Sequence, residues 1–197
     1  SGLIPNTTYF ARLRARVLPP DDLFSSYSTE ASTVTLAEAP SGLQAPGVFL
    51  SSLTLSWSGG ANPGTTRYEV SLSTDGFLTH FSTPVGFSGG LTATTTGLTG
   101  LTPGTTYHLR VRARNSAGIP TTFTLVVTTP TAPTGIAAPS GQPLGISSVS
   151  WTWANAGAAA SYRLRRPATG AVVAVTTAPF YLDAGLTTDT TSALRVE

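Results

Sequence analysis

The feature that most constrains this chain is that it repeats itself in blocks. Leu3-Ile-Pro5-Asn-Thr-Thr-Tyr9-Phe-Ala-Arg-Leu-Arg-Ala returns as Leu101-Thr-Pro103-Gly-Thr-Thr-Tyr107-His-Leu-Arg-Val-Arg-Ala. It returns once more, weakened, as Leu186-Thr-Thr-Asp-Thr-Thr-Ser192-Ala-Leu-Arg-Val. Val34-Thr-Leu-Ala-Glu-Ala-Pro40-Ser-Gly42 matches Val127-Thr-Thr-Pro-Thr-Ala-Pro133-Thr-Gly135, and Leu53-Thr-Leu-Ser-Trp57 matches Val149-Ser-Trp-Thr-Trp153. The offsets are 98, 93 and 96 residues, so the unit is a domain of about 90 to 100 residues. Their drift predicts five extra residues in the first copy near positions 19–28 and three before Trp153. The step from Leu101 to Leu186 is only 85, which predicts a third copy shortened between Tyr162 and Leu186.

Within the blocks the apolar residues alternate, as in Tyr68-Glu-Val70-Ser-Leu72 and Tyr107-His-Leu109-Arg-Val111-Arg-Ala113. A period of two with Gly, Pro and Asn punctuation predicts half-buried antiparallel strands. No sustained helical period occurs, and the short run at 156–160 is not read as a helix because Gly157 interrupts it. The expected class is all-β.

The blocks resemble the fibronectin type III family, a two-sheet sandwich whose seven strands are lettered A to G. The resemblance rests on Trp57 and Trp153 in strand B, Tyr68 and Tyr162 in strand C, and the Leu-x-Pro-x-Thr-x-Tyr run into strand F. Asn115-Ser-Ala-Gly118 is similar to the family's F–G turn. It implies tandem immunoglobulin-like sandwiches: strands F and G of one domain at 1–38, a complete domain at 39–130, and a third at 131–197 lacking its last strand. Leu3, Leu101 and Leu186 open the equivalent corners, where Tyr9 and Tyr107 are expected to hydrogen-bond back across the E–F loop. Ser192 replaces that tyrosine in the third copy, so its corner is expected to be missing and its strand F less firmly held. Trp57, Trp151 and Trp153 share parity with Leu53, Leu55 and Val149 and are expected in the core, not on a sugar-stacking platform.

The opposite parity of strand F carries cations. Arg110, Arg112 and Arg114 with His108 point outward, and Phe10, Arg12, Arg14 and Arg16 repeat the pattern in the first copy. Strand C adds Arg67 in the second copy and Arg163 and Arg165 in the third. Because C and F are sheet neighbours in this family, each domain is expected to carry an arginine ladder. It reads either as a face for an anionic partner, such as acidic polysaccharide, or as a solvated strand face partly paired with Glu69.

Composition narrows the chemistry. The chain has no Cys, Lys or Met, and only 10% of its residues are charged. Disulfides, thiolate metal sites, Schiff-base chemistry and a Walker lysine are therefore excluded. All 11 cations are Arg, for a net charge of +2, too sparse for a nucleic-acid groove. No apolar stretch reaches the length of a membrane span, so membrane insertion is not expected. Gly86-Phe-Ser88-Gly-Gly90 matches a nucleophile-elbow pattern, but that motif needs a strand-to-helix turn in an α/β sheet. His80 and His108 lack partner spacing for a metal or a triad, while Asp21-Asp22 and Asp75-Gly76 read as turns. Asn6-Thr7-Thr8 is a formal glycosylation sequon, relevant only in a secreted eukaryotic protein.

No enzyme, cofactor or metal is expected. With no Met the chain reads as a fragment or processed product, and its Arg-only, Ala/Gly/Thr-rich composition as the product of a GC-rich bacterial gene. The expected role is structural or adhesive: a semi-rigid sandwich rod, secreted or at the cell surface, that contacts other copies of itself or neighbouring repeats. Head-to-tail filament assembly is one form of this. Spacer modules of a secreted polysaccharide-degrading enzyme, or glycan binding, are the alternative.

Overall fold

The computed structural model describes residues 2–156, 161–189 and 191–197. Most of the alanine run therefore lies outside the described residues. The fold is all-β. Its strands are β1 Thr8–Ala11, β2 Ala31–Val34, β3 Ser41–Val48, β4 Ser52–Ser58, β5 Arg67–Ser73, β6 Phe81–Val85, β7 Thr95–Thr99, β8 Thr106–Arg114 and β9 Val127–Pro130. There follow β10 Ser140–Gly145, β11 Ser148–Thr152, β12 Tyr162–Arg165, β13 Val172–Thr176, β14 Phe180–Ala184 and β15 Arg195–Val196. They form sheets ordered β1-β2, β3-β4-β7, β6-β5-β8-β9, β10-β11-β14 and β13-β12-β15. The chain divides into two compact units, Ser1–Pro46 with Thr54–Gly97 and His108–Thr128, and Gly47–Leu53 with Leu98–Tyr107 and Thr129–Glu197.

In the first unit the period-two pattern becomes a core. Leu55 and Trp57 of β4, Tyr68 and Val70 of β5, and Leu109, Val111 and Ala113 of β8 are all buried. β5 and β8 pair with Tyr68 opposite Ala113 and Val70 opposite Val111, so one face of that sheet is continuously apolar. Trp57 meets Tyr68 edge to face at 5.5 Å, joining the two sheets. Burying each such side chain is worth about 1.5–3 kcal/mol.

The second unit repeats the device. Trp153 meets Tyr162 edge to face at 5.3 Å, inside a cluster with Trp151, Ala156, Leu164 and Leu194. Trp151 is buried as its parity predicts. Its ring covers Gly141, its cross-strand neighbour on β10, where a Cβ would lie 2.8 Å from the indole. Glycine at that position is what lets a second tryptophan fit where the other copy has Leu55.

The corners expected at the tyrosines are present. The Tyr9 hydroxyl accepts the Ile4 N–H at 2.7 Å, and the Tyr107 hydroxyl accepts the Thr102 N–H at 2.9 Å. Asn6, Gly104 and Asp189, equivalent in the repeat, all take left-handed backbone with φ of 46°, 60° and 54°. Gly, Asn and Asp are the residues that tolerate this conformation best. Ser192, in the third copy's tyrosine position, instead accepts Arg166 Nη1 at 2.9 Å beside the Asp183 carboxylate. Arg166 donates to that buried carboxylate at 2.7 Å, and this bond raises the guanidinium above its ordinary pKa.

Hydrogen bonding corrects one register of the repeat. The Thr35 hydroxyl donates to Ile4 O at 2.7 Å and accepts the Thr7 N–H at 3.1 Å. The Thr131 hydroxyl donates to Thr102 O at 2.7 Å and accepts the Thr105 N–H at 3.1 Å. The offset here is therefore 96, not 93, and it continues unchanged to Trp57 and Trp153. The first copy's loop holds two additional residues rather than five, and none are inserted before Trp153. The Ala/Pro-rich joints recur in composition without being structural partners, whereas the threonine that closes each corner is a structural partner. Thr131 is buried, so Thr131→Val should leave donors and acceptors unpaired. A loss of about 1–3 kcal/mol in urea unfolding is expected.

Candidate functional site

Of the nine arginines singled out from the sequence, Arg67, Arg110, Arg112, Arg114, Arg163 and Arg165 lie on β5, β8 and β12, whereas Arg12, Arg14 and Arg16 follow the end of β1; most already have partners. Arg12 stacks on Tyr27 at 4.2 Å, and Arg14 on Phe24 at 3.8 Å and Tyr27 at 5.0 Å. Arg16 reaches Phe24 at 5.7 Å and pairs with Asp22. On β8, Arg110 lies between Phe77 at 3.9 Å and Phe123 at 4.0 Å. Arg112 pairs with Glu69 at 2.7 Å and packs on Phe123 at 4.5 Å, while Arg114 sits 4.7 Å from Phe87. Arg165 pairs with Glu197 at 2.9 Å. Among the described residues, Arg67 and Arg163 have neither a carboxylate nor a ring.

The rings were not anticipated, although the sequence carried a signal for them. Ser25-x-Tyr27-Ser28 and Thr121-x-Phe123-Thr124 are equivalent at an offset of 96. In both, two hydroxyls stand in for missing ladder acceptors. Ser25 and Ser28 accept the Ala15 and Leu13 N–H groups at 2.9 and 3.2 Å, and Thr121 and Thr124 accept those of Ala113 and Val111, each at 3.1 Å. The aromatic between the hydroxyls lies over two arginines of the neighbouring strand. Quadrupole attraction and burial of the arginine stems hold the ladder in place. Burial pushes the Arg110 guanidinium below its ordinary pKa, and the Arg112 charge adds to this against the opposing effect of Glu69.

One rung differs. Arg67 and Arg114 face each other directly across β5 and β8, two like charges with no acid between them. They border a cleft of about 490 Å³ together with Asn6, Thr65, Asn115 and Ser116. Asn6 and Asn115 tie its walls together. Asn6 donates to Thr66 at 2.8 Å and accepts the Ser116 N–H at 2.7 Å, and Asn115 donates to Thr35 O at 3.2 Å.

The paired three- and four-stranded sheets, the inter-sheet Trp57–Tyr68 contact and the Tyr107 corner agree with a direct family match. The fibronectin type III domain profile covers residues 38–129. Residues 38–129 belong to the fibronectin type III family. Similar solved structures include a fibronectin type III domain of human fibronectin type III domain containing protein 3, at 19% identity. It covers 53% of this chain and 94% of its own, with a TM-score of 0.43. The FN1–FN3 domains of chicken CNTN1, also 19% identical, cover 98% of this chain and 72% of theirs, with a TM-score of 0.42. No curated protein sequence matches the chain significantly.

Fibronectin type III domains are generally structural or adhesive, commonly extracellular and typically non-catalytic. Ser88 lies exposed in a 3-10 turn, Phe87–Gly89, with none of the geometry of a nucleophile elbow. Among the described residues no group of three His, Asp or Glu side chains could hold a metal, and no helix is long and apolar enough to cross a membrane. His108 meets the Thr128 hydroxyl at 3.0 Å. Asp75 organises its turn, accepting from the Thr79 and Ser73 hydroxyls and from the N–H groups of His80 and Thr79. These bonds hold its carboxyl well below the usual carboxylate range.

Two outcomes follow. A depressed folded-state pKa stabilises above the unfolded value of about 4 and ceases to do so as pH falls through the folded one. Asp75→Asn should therefore lower the melting temperature at pH 7, with the gap to wild type narrowing as the buffer is taken below pH about 4. Phe123→Leu, which keeps apolar bulk but removes the ring between Arg110 and Arg112, should cost about 0.5–2 kcal/mol by denaturant unfolding.

Proposed function

We propose that the chain is a non-catalytic structural or adhesive segment of a secreted or cell-surface protein. In this reading it is a semi-rigid tandem of fibronectin type III sandwiches, with residues 1–38 and 131–197 belonging to the domains on either side of 39–130. Its partners are neighbouring repeats or other copies of itself. Leu13, Val17 and Leu36 of the first segment are exposed, and covering them would remove that apolar surface from water.

The observation that carries this reading is the joint between the β1–β2 segment and the sandwich that follows. A tether would leave it free to pivot; here polar side chains lock it. Besides the Asn6 and Asn115 bonds, Glu38 N–H donates to Asn62 Oδ1 at 2.8 Å, and Asn62 Nδ2 returns a bond to Glu38 O at 2.8 Å. The Glu38 carboxylate accepts the Ala61 N–H at 2.7 Å. Asn6 holds its left-handed backbone and bridges two loops at once, whereas the equivalent Gly104 has no side chain with which to do so.

Asn6→Gly tests this, because glycine preserves the backbone conformation and removes only the bridge. The Ser116 amide should lose protection from hydrogen exchange while the β5 and β8 amides keep theirs, and solution scattering should report a looser chain. Unchanged Ser116 protection together with unchanged scattering would overturn the stiffened joint.

A further inference from the structure

We propose that the cleft beside Arg67 and Arg114 binds the carboxylate of an acidic saccharide, a uronic-acid residue. This gives the adhesive part of the proposed function a ligand class, and its test does not depend on the stiffness of the joint.

The argument starts from charge. Like charges directly opposite each other on adjacent strands destabilise a sheet. The neighbouring rungs relieve their charge internally, Arg112 through Glu69 and Arg110 through two phenylalanine rings. Arg67 and Arg114 have no such acid among the described residues, and only the Phe87 ring approaches Arg114. An anion between the two guanidinium groups would convert that repulsion into charge-assisted hydrogen bonds, whose planar fork geometry suits a carboxylate.

The cleft supplies the rest of the recognition. At about 490 Å³ it falls within the size range of ligand pockets, about 300–1,000 Å³. The hydroxyls of Thr65 and Ser116 line it without side-chain partners among the described residues. Its only apolar lining comes from Ala117 and Gly118, which offer no pocket for an aliphatic or aromatic side chain. Such a surface suits a polyhydroxylated ring bearing one charge better than it suits an acidic peptide. Because Asn6 and Ser116 come from the two sides of the joint, the bound sugar would touch both.

The test is titration of the full chain with trigalacturonate at low salt, followed by amide chemical shifts. Maltotriose, sodium sulfate and a single-stranded oligonucleotide serve as comparison ligands at matched ionic strength. Saturable shifts at Arg67, Arg114 and Ser116 are expected with trigalacturonate and not with maltotriose, with affinity falling as salt rises. Arg67→Ala, at an exposed position where folding should be unaffected, should weaken binding about tenfold, and Arg114→Gln likewise. Arg163→Ala, which removes a partnerless arginine of the other unit, should leave the affinity unchanged. The proposal is overturned by an absence of saturable shifts, by equal weakening in Arg163→Ala, or by sulfate or the oligonucleotide binding as tightly as the uronate. Each of these would leave the Ser116 exchange result in Asn6→Gly untouched.

Discussion

The rest of the structure depends on an edge-to-face contact between one tryptophan and one tyrosine that bridges the two sheets. Trp57 with Tyr68, and Trp153 with Tyr162, each fill the space between a strand of one sheet and the next strand of the chain in the other. Sheets pack about 10 Å apart, a gap that a large side chain from each side can close. Once these rings are seated, the parity of β4, β5 and β8 is decided, because slipping any strand by one residue would put its apolar row in water. The outward row is decided with it, including the arginines of β5 and β8.

That outward row behaves as packed structure more than as a charged surface. On β8 and on its equivalent in residues 12–16, guanidinium groups alternate with Phe and Tyr rings delivered by a neighbouring segment. Paired hydroxyls, Ser25 with Ser28 and Thr121 with Thr124, position those rings by taking over backbone hydrogen bonds. The arrangement explains part of the abundance of Thr and Ser, which here act as substitutes for main-chain partners as well as solvated strand positions. It also isolates the rung at Arg67 and Arg114, where neither a ring sandwich nor a carboxylate balances two opposed cations.

Much of the fold was legible because its signals are local. Alternation in Leu53–Trp57 and Tyr107–Ala113 announces strands, and the recurring Leu-x-Pro-x-Thr-x-Tyr run announces a corner that indeed closes through the tyrosine hydroxyl. The joints are ambiguous in sequence for the opposite reason. Ala, Pro and Thr recur there by composition, so a three-residue slip looked as good as the true register until Thr35 and Thr131 showed which residues close the corner. Nothing in the spacing of Arg166 and Asp183 says that a half-buried arginine will pair with a buried carboxylate in the region of a missing tyrosine.

The sequence by itself determined the all-β class and the inward faces of β4, β5 and β8, because period and parity are properties of neighbouring residues, and its recurring blocks carried the resemblance that residues 38–129 bear out. Only the tertiary structure decided what each arginine meets. Phe77 and Phe87 approach β8 from earlier segments of the chain, Phe123 from the segment just after the turn that follows β8, and Glu69 and Arg67 come from β5 through the sheet register. Whether a cation is neutralised, stacked or left facing its like depends on those pairings, and only the rings of Tyr27 and Phe123 leave a local trace, the hydroxyl-x-aromatic-hydroxyl pattern.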